Sequence, residues 1–425
     1  MPEKNNKQVI RKRAGEHQRY ASGFKYQQDS KYFAQIAENL SDECAKELSM
    51  LGAKDVEPTH TGIYFSADKS VFYKINYMSR LISRVLAPID TFSCPDSDTL
   101  YKNGKKIKWE LLISKKTTFS IVHNVSDSTI DHSQFAALRL KDAIADYFRD
   151  RTGKRPNVDT INPDIIINLH IRNNIADISV DASGGALHKR GYREKSISAP
   201  MQETVAAAII RFSEWDGSVP IYDPMCGSGT LLCEALMHHC NIPAGIFREK
   251  FGFQMLPDYN PELWELVKKE CDAAITPLVA PIKALGVDSE EENSSQQVQL
   301  QQNLNLISGS DISKESVDAA KTNLMGLHFG NNVSVKLMDF QDIPSIENSV
   351  IVANPPYGIR IGKDQDLKLF HKQLGDFLKQ RCKGSKAFIY FGEPEYTKYM
   401  GLKASWRKPL KAGGLDGVLV KYEMY

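Results

Sequence analysis

From about residue 197 onward the chain repeats one local rhythm, a short apolar strand, a turn and a helix, and this rhythm leaves few architectures open. Residues 219 to 223 (VPIYD) read as a buried strand, Gly227-Ser228-Gly229 as a tight turn and residues 230 to 240 as a helix. The order recurs at 306 to 311 before an expected helix over 314 to 327, at 333 to 337 before Asp339, and at 350 to 353 before Asn354-Pro355-Pro356-Tyr357-Gly358. A helix around 366 to 381 and a strand over 387 to 391 follow. Such alternation predicts an α/β fold with a doubly wound, mostly parallel sheet, because each right-handed crossover lays its helix back on the sheet. Ligands of these sheets sit beyond the carboxyl ends of the strands. Asp223, Asp311, Asp339 and Asn354 all fall at such ends. The chain closes on two further strand patterns, 402 to 410 and 418 to 422. They are expected to pair as an antiparallel hairpin at the sheet edge, turning over 412 to 417 with Asp416-Gly417 as the turn-forming pair.

The stretch Asp223-Pro224-Met225-Cys226-Gly227-Ser228-Gly229-Thr230 carries the first chemical signal. Its glycines let backbone approach a ligand, and the helix N-terminus after them suits a carboxylate or phosphate. It is not a Walker A loop, since no Gly-Lys-Ser/Thr follows. It is not a nucleophile elbow, since Cys226 stands where G-x-S-x-G needs glycine, nor G-x-G-x-x-G, since Leu232 occupies the last position. Cys226 has no His nearby in sequence to activate a thiolate. Alone, the turn reads as readily structural as functional. Asp311, with Ile312 beside it, adds an acid of the kind that accepts ribose hydroxyls. Asp339 could take an adenine amino group while Phe340 packs on the ring. These features in this order, on successive strands, are hard to obtain by accident.

Residues 31 to 195 alternate short helical and strand patterns, an α+β composition with no catalytic constellation. Apolar spacing predicts a helix over 34 to 51, ended by Gly52, and a strand over 62 to 65. A second helix is expected over 133 to 151, capped by Ser133 and stopped by Gly153. Strands over 164 to 171 and 176 to 181 flank a turn at Arg172-Asn173-Asn174. Between the first two C-terminal strands lies a long excursion, 243 to 305, whose polar segment 289 to 303 is expected to be exposed, mobile and without chemistry.

A length of 425 residues, 42% of them hydrophobic, exceeds what one core usually serves, so two or three domains are expected. No apolar run is long enough to span a bilayer and the N-terminus lacks a signal-peptide core, which predicts a cytoplasmic protein. The seven cysteines form no C-x-x-C pair and read as reduced thiols, with neither a disulfide framework nor a metal site. The net charge of +2 hides an asymmetry. Residues 1 to 29 hold Lys4, Lys7, Arg11, Lys12, Arg13, Arg19 and Lys25 against Glu3, Glu16 and Asp29. This tail is expected to be disordered, either a phosphate-binding arm or a solvated segment with no partner. A second basic string, residues 188 to 195 (HKRGYREK), offers Lys189, Arg190, Arg193 and Lys195 to phosphates, while Tyr192 could stack on a base or pack at a junction. A solvated linker would carry similar charges.

Taken together, residues 223 to 230, Ser310-Asp311, Met338-Asp339-Phe340 and Asn354-Pro355-Pro356-Tyr357 resemble the motifs of class I S-adenosylmethionine methyltransferases that modify exocyclic amines. Cytosine-C5 enzymes carry a catalytic Pro-Cys turn instead, which is absent at 354 to 357. Residues 134 to 144, Gly153-Lys154-Arg155-Pro156 and 187 to 193 are similar to THUMP-containing RNA guanine-N2 methyltransferases, particularly the bacterial enzymes acting on 23S rRNA. The resemblance implies a basic tail over 1–30, a ferredoxin-like segment over 31–90, a THUMP RNA-binding domain over 91–185, a basic junction over 186–200 and a Rossmann-like catalytic domain over 201–425. It implies a bacterial member with a single methyltransferase domain and RNA, in 23S rRNA or a ribosomal assembly intermediate, as partner. S-adenosylmethionine would lie on Asp223, Pro224, Cys226, Gly227, Ser228, Gly229, Thr230, Asp311, Ile312, Asp339, Phe340 and Asn354. Asn354, Pro355, Pro356 and Tyr357 would form the acceptor side. There the Asn354 amide oxygen and the Pro355 carbonyl accept the amino hydrogens, the prolines fix the backbone, and Tyr357 stacks on a base turned out of its helix. The same turn serves tRNA guanine-N2 and adenine-N6 methylation, and a non-catalytic RNA-binding or assembly protein is the alternative of another class.

Overall fold

The computed structural model describes residues 23–197, 201–278, 306–357 and 367–425, which form two sheets on a shared core. The first sheet is built from β1 (Lys31–Gln35), β2 (Lys54–Pro58), β3 (Gly62–Ser66), β4 (Arg84–Ser93), β5 (Thr118–Ser126), β6 (Asn157–Val158), β7 (Ile165–Arg172) and β8 (Ile175–Asp181), in the order β2-β3-β1-β4-β8-β7-β5-β6. Strand β4 pairs with β1 on one side and with β8 on the other, so the ferredoxin-like and THUMP segments share one continuous sheet. The boundary expected at residue 90 therefore falls inside a strand. Strands β7 and β8 meet at Asn173-Asn174, both with positive φ (50° and 58°), a two-residue turn whose twist matches that of the flanking strands.

Three expectations for this half are corrected. The helix predicted over 34 to 51 splits into β1 and a helix α2 (Ser41–Met50). Tyr32 and Ala34 are buried between β3 and β4, and cross-strand pairing overrides the helical spacing of the apolar residues. Ser133 opens its helix but does not cap it; the N-cap is His132, and Gly153 closes the last turn at φ 70°. Finally, the end of the expected tail is folded. A short helix, α1 (Lys25–Asp29), buries Tyr26, whose hydroxyl donates to Asp258 Oδ1 at 2.6 Å. The rest of the tail, residues 1–22, lies outside the described residues.

The second sheet contains β9 (Ile221–Asp223), β10 (Ile307–Asp311), β11 (Ser334–Leu337), β12 (Val350–Ala353), β13 (Lys386–Phe391), β14 (Ala404–Ala412) and β15 (Leu415–Glu423), in the order β11-β10-β9-β12-β13-β15-β14. The first five are parallel and β15 runs antiparallel to β13, the doubly wound arrangement expected from the repeating rhythm. The terminal hairpin turns at Gly413-Gly414, both at positive φ, and not at Asp416-Gly417, which pair within the ladder.

The long excursion after β9 has a structural task that its sequence did not advertise. A helix over Pro261–Ala273 returns to the N-terminal half. Its Trp264 meets Tyr77 edge-on at 5.4 Å, and Tyr73 stacks on Phe253 at 4.6 Å. This aromatic cluster joins the two sheets into one body. The polar segment 289 to 303 lies outside the described residues. All seven cysteines are free and buried, and no helix among the described residues is long and apolar enough to cross a membrane.

Candidate active site

At the carboxyl ends of β9 to β12 the fold opens a cavity of about 780 Å³, within the range typical of small-molecule sites. Asp223, Pro224, Cys226, Gly227, Ser228, Thr230, Asp311, Ile312, Asp339, Phe340, Asn354, Pro355, Pro356 and Tyr357 all line it, so four strand ends separated by long stretches of chain converge on one space. Gly229 does not line it. Its φ of 80° and its approach to Ala320, where an added Cβ would come within 3.0 Å, make it the packing residue that lets the turn lead into the helix after it, Thr230–His239.

The turn is held by its neighbours. Cys226 N–H donates to the Ser310 carbonyl at 2.9 Å, and Gly229 N–H to the Cys226 carbonyl at 2.8 Å. Asp311 accepts from Gly227 N–H at 2.9 Å through one carboxylate oxygen and from Ser313 N–H at 2.9 Å through the other. Asp339 accepts from Gln341 N–H at 2.9 Å and caps a short 3-10 turn, which sets Phe340 against the cavity. The Phe340 ring meets Phe370 edge-on at 5.5 Å. Phe370 and Gln373, on the helix Leu367–Arg381, line the cavity as well. The sequence reading missed both, although the amphipathic spacing of that helix placed one of its faces toward the sheet.

Asp223 is 1% exposed and accepts from Met225 N–H at 3.1 Å. Burial pushes its carboxyl well above the ordinary carboxylate range, and Asp311 adds to the rise. A carboxyl raised in the folded state binds a proton that the unfolded chain releases. Its contribution to stability is therefore present below the ordinary carboxyl value of 3.8 and is lost as pH rises through the folded pKa. Replacing Asp223 with Asn should flatten that part of the slope in melting temperature against pH for the ligand-free protein; an unchanged slope would contradict the assignment. Burial likewise pushes the Cys226 thiol well above its ordinary value, the opposite of what activates a thiolate nucleophile.

Just after β12, Pro355 is buried and Asn354 Oδ1 is buried without a hydrogen-bond partner among the described residues. Unsatisfied buried oxygens are rare and costly, so this one marks a place where a donor is expected. Tyr357 lies flat on Gly392 at the end of β13, where an added Cβ would come within 2.9 to 3.1 Å of three ring atoms. Gly358 lies outside the described residues.

The basic junction departs from expectation. Lys189 is exposed, but Arg190 is 1% exposed and Tyr192 2%, so neither can grip RNA phosphates or stack on a base. Arg190 pairs with Glu234 at 3.3 Å and donates to the carbonyls of Ser79, Arg80 and Leu187, while the Tyr192 hydroxyl donates to Glu234 at 3.1 Å. Both fasten the junction to the helix that follows the glycine turn. Arg193 is turned inward as well, onto Glu203 and Ser228.

Comparison with known proteins accounts for this geometry. The family model described as "RMKL-like, methyltransferase domain" matches residues 190–421, over half of the chain. The chain belongs to the RMKL-like methyltransferase family. Models of the THUMP domain and of the RlmL ferredoxin-like domain match residues 94–181 and 31–86. A Synechocystis protein provisionally named as an RNA methyltransferase is 39% identical over 93% of this chain and 97% of its own length. The ribosomal RNA large subunit methyltransferase K/L of Syntrophotalea carbinolica is 34% identical over 93% of this chain, which spans only 53% of that relative. Among solved structures, SMU.472, provisionally named as a methyltransferase and complexed with SAH, superposes with a TM-score of 0.76 at 25% identity, covering 93% of this chain and 98% of its own. TrmN from Thermus thermophilus shares the fold, with a TM-score of 0.64 at 14% identity over 93% of this chain and 99% of its own. This RMKL-like methyltransferase uses S-adenosylmethionine, whose demethylated product SAH is bound in the SMU.472 structure. The cavity suits such a ligand: a buried carboxyl lines it, two further acids end adjacent strands, and a helix N-terminus faces the same space.

Proposed function

We propose that this chain methylates the exocyclic N2 amine of a guanosine in RNA, most specifically in large-subunit ribosomal RNA. The observation that carries the reading is Asn354 Oδ1, a buried acceptor on the cavity wall without a partner among the described residues. An exocyclic amine supplies the donor that this oxygen lacks. The Pro355 carbonyl is proposed to take the second amino hydrogen, so that the nitrogen lone pair, otherwise delocalised into the base, faces the methyl group. S-adenosylmethionine supplies that methyl already activated on a sulfonium, so the chain's own task is alignment and not strong-base chemistry.

Asp223 and the turn 226 to 230 are assigned to the amino-acid end of the cofactor, Asp311 to its ribose, and Asp339 with Phe340 to its adenine. The assignment of RNA, and of ribosomal RNA, rests on the THUMP match and on the names of the relatives. Nucleoside mass spectrometry after incubation with 23S rRNA, tRNA and DNA tests it. N2-methylguanosine is expected in rRNA alone; N6-methyladenine, or methylation confined to tRNA, would overturn the choice of base or of substrate.

Gly392 supplies a second check. Only a residue without a Cβ leaves the Tyr357 ring its present place. Replacing Gly392 with Ala should push the ring into the acceptor space and raise KM for RNA about tenfold or more, in line with the worth of one base stacked on an aromatic ring. Affinity for S-adenosylhomocysteine should not change, and a KM equal to that of the parent would remove Tyr357 from the acceptor side.

A further inference from the structure

The inward turn of Arg193 assigns this residue a role different from phosphate binding. We infer that Arg193 is a positioning residue for the cofactor turn, holding Ser228 so that the turn keeps its ligand-binding shape before any ligand arrives. The inference rests on reading the cavity as the S-adenosylmethionine site.

The side chain is 14% exposed and its fork is committed. Nε and Nη2 donate to Glu203 Oε1 at 3.1 and 3.0 Å, Nη2 also to the Met201 carbonyl at 3.1 Å, and Nη1 to Ser228 Oγ at 3.0 Å. Arginine has five N–H donors in a rigid fork, and these bonds leave too few to clamp a phosphate bidentately. Glu203, 7% exposed at the first turn of the helix Glu203–Ser213, anchors the fork from behind.

A second, independent hold acts on the same residue. Asn323, wholly buried in the helix Lys314–Met325, donates to the carbonyls of Ser228 and Lys195 at 3.0 Å each, and its oxygen accepts from the N–H groups of Glu194 and Lys195. Ser228 is thus held by its hydroxyl through Arg193 and by its carbonyl through Asn323. Both holds reach back to the three-residue stretch 193 to 195. Ser228 lies between Gly227 and Gly229, at φ 53° and 80°. A turn with two glycines in three residues has more conformational freedom to lose on binding than one built of residues with side chains. Fixing it in advance lowers the entropy that the ligand would otherwise have to offset.

Calorimetric titration of S-adenosylhomocysteine into the full chain tests this. Arg193→Met and Ser228→Ala should each weaken binding about tenfold, the worth of one charge-assisted hydrogen bond. The double variant should bind no more than about twofold more weakly than Arg193→Met, because both changes delete the same bond. Affinity for transcribed 23S rRNA, and its dependence on salt, should match the parent. An Arg193→Met protein that binds S-adenosylhomocysteine as the parent does overturns the inference. So does one whose salt slope for RNA falls by about one, the signature of a lost phosphate contact. If Arg193→Met does not fold, Arg193→Lys, which keeps the charge but lacks the fork that spans Glu203 and Ser228, takes its place: binding weakened about as much as in Ser228→Ala, with no further loss in the double variant, sustains the inference, and parental binding overturns it. A parent protein that binds no S-adenosylhomocysteine would instead remove the cofactor reading itself.

Discussion

An Asn354→Ala protein should transfer methyl groups about 10²- to 10³-fold more slowly than its parent, the usual loss when one preorganised polar group is removed from a reacting centre, and yet be no less stable. The two effects have one cause. Asn354 Oδ1 is buried without a partner among the described residues, so the ligand-free fold already bears the cost of its desolvation. A buried unsatisfied polar atom costs about 1 to 3 kcal/mol. Deleting it should therefore leave the melting temperature unchanged or raise it, while the acceptor amine loses the oxygen that orients it. A structural asparagine would behave in the opposite way, losing stability and activity together. Single-turnover methyl transfer beside a thermal melt and a titration with S-adenosylhomocysteine separates the two. Full activity would remove Asn354 from the reaction, and a lower melting temperature would make it a fold residue.

Why the sequence disclosed one side of this site and not the other has a physical basis. Asp223, Asp311, Asp339 and Asn354 were legible because a parallel sheet places every strand's carboxyl end on one edge, so order along the chain becomes proximity in space. Arg190 was misread, and Tyr192 was left open between stacking on a base and packing at the junction, which it does, because sequence gives charge and aromaticity but not burial. A run such as residues 188 to 195 has the same composition on an RNA-facing surface as in an interdomain strap. What turned it inward was Glu234, in the middle of a helix that is buried along most of its length. An acid there needs a partner, and that was the available signal. Asn323 offered a similar one, since asparagine in a helix interior usually has a reason to be there. The hairpin turn was misplaced between two competing turn-forming pairs, Gly413-Gly414 and Asp416-Gly417, and only the strand register decides between them.

The buried strap carries the largest expected effect on stability. Arg190 and Glu234 are 1% and 0% exposed, and Glu234 Oε1 takes both the Arg190 guanidinium and the Tyr192 hydroxyl. Arg190→Met would leave Glu234 buried with no cation directly bonded to it and deprive the carbonyls of Ser79, Arg80 and Leu187 of a donor. Breaking one partner of a buried pair costs about 3 to 5 kcal/mol, so the urea midpoint should fall accordingly. Glu234→Leu should cost less, because Arg190 keeps its three carbonyl acceptors. In the double variant Arg190→Met/Glu234→Leu the stranded charge disappears, and stability should recover most of the way toward the parent. Recovery should stop short of completion, since the three carbonyls still lack their donor. Equilibrium unfolding of the three variants reads this order directly. If instead Arg190→Met folded as stably as the parent and its affinity for 23S rRNA dropped with a shallower salt dependence, the arginine would belong to the RNA surface and the strap would not be what fastens the junction to the catalytic helix.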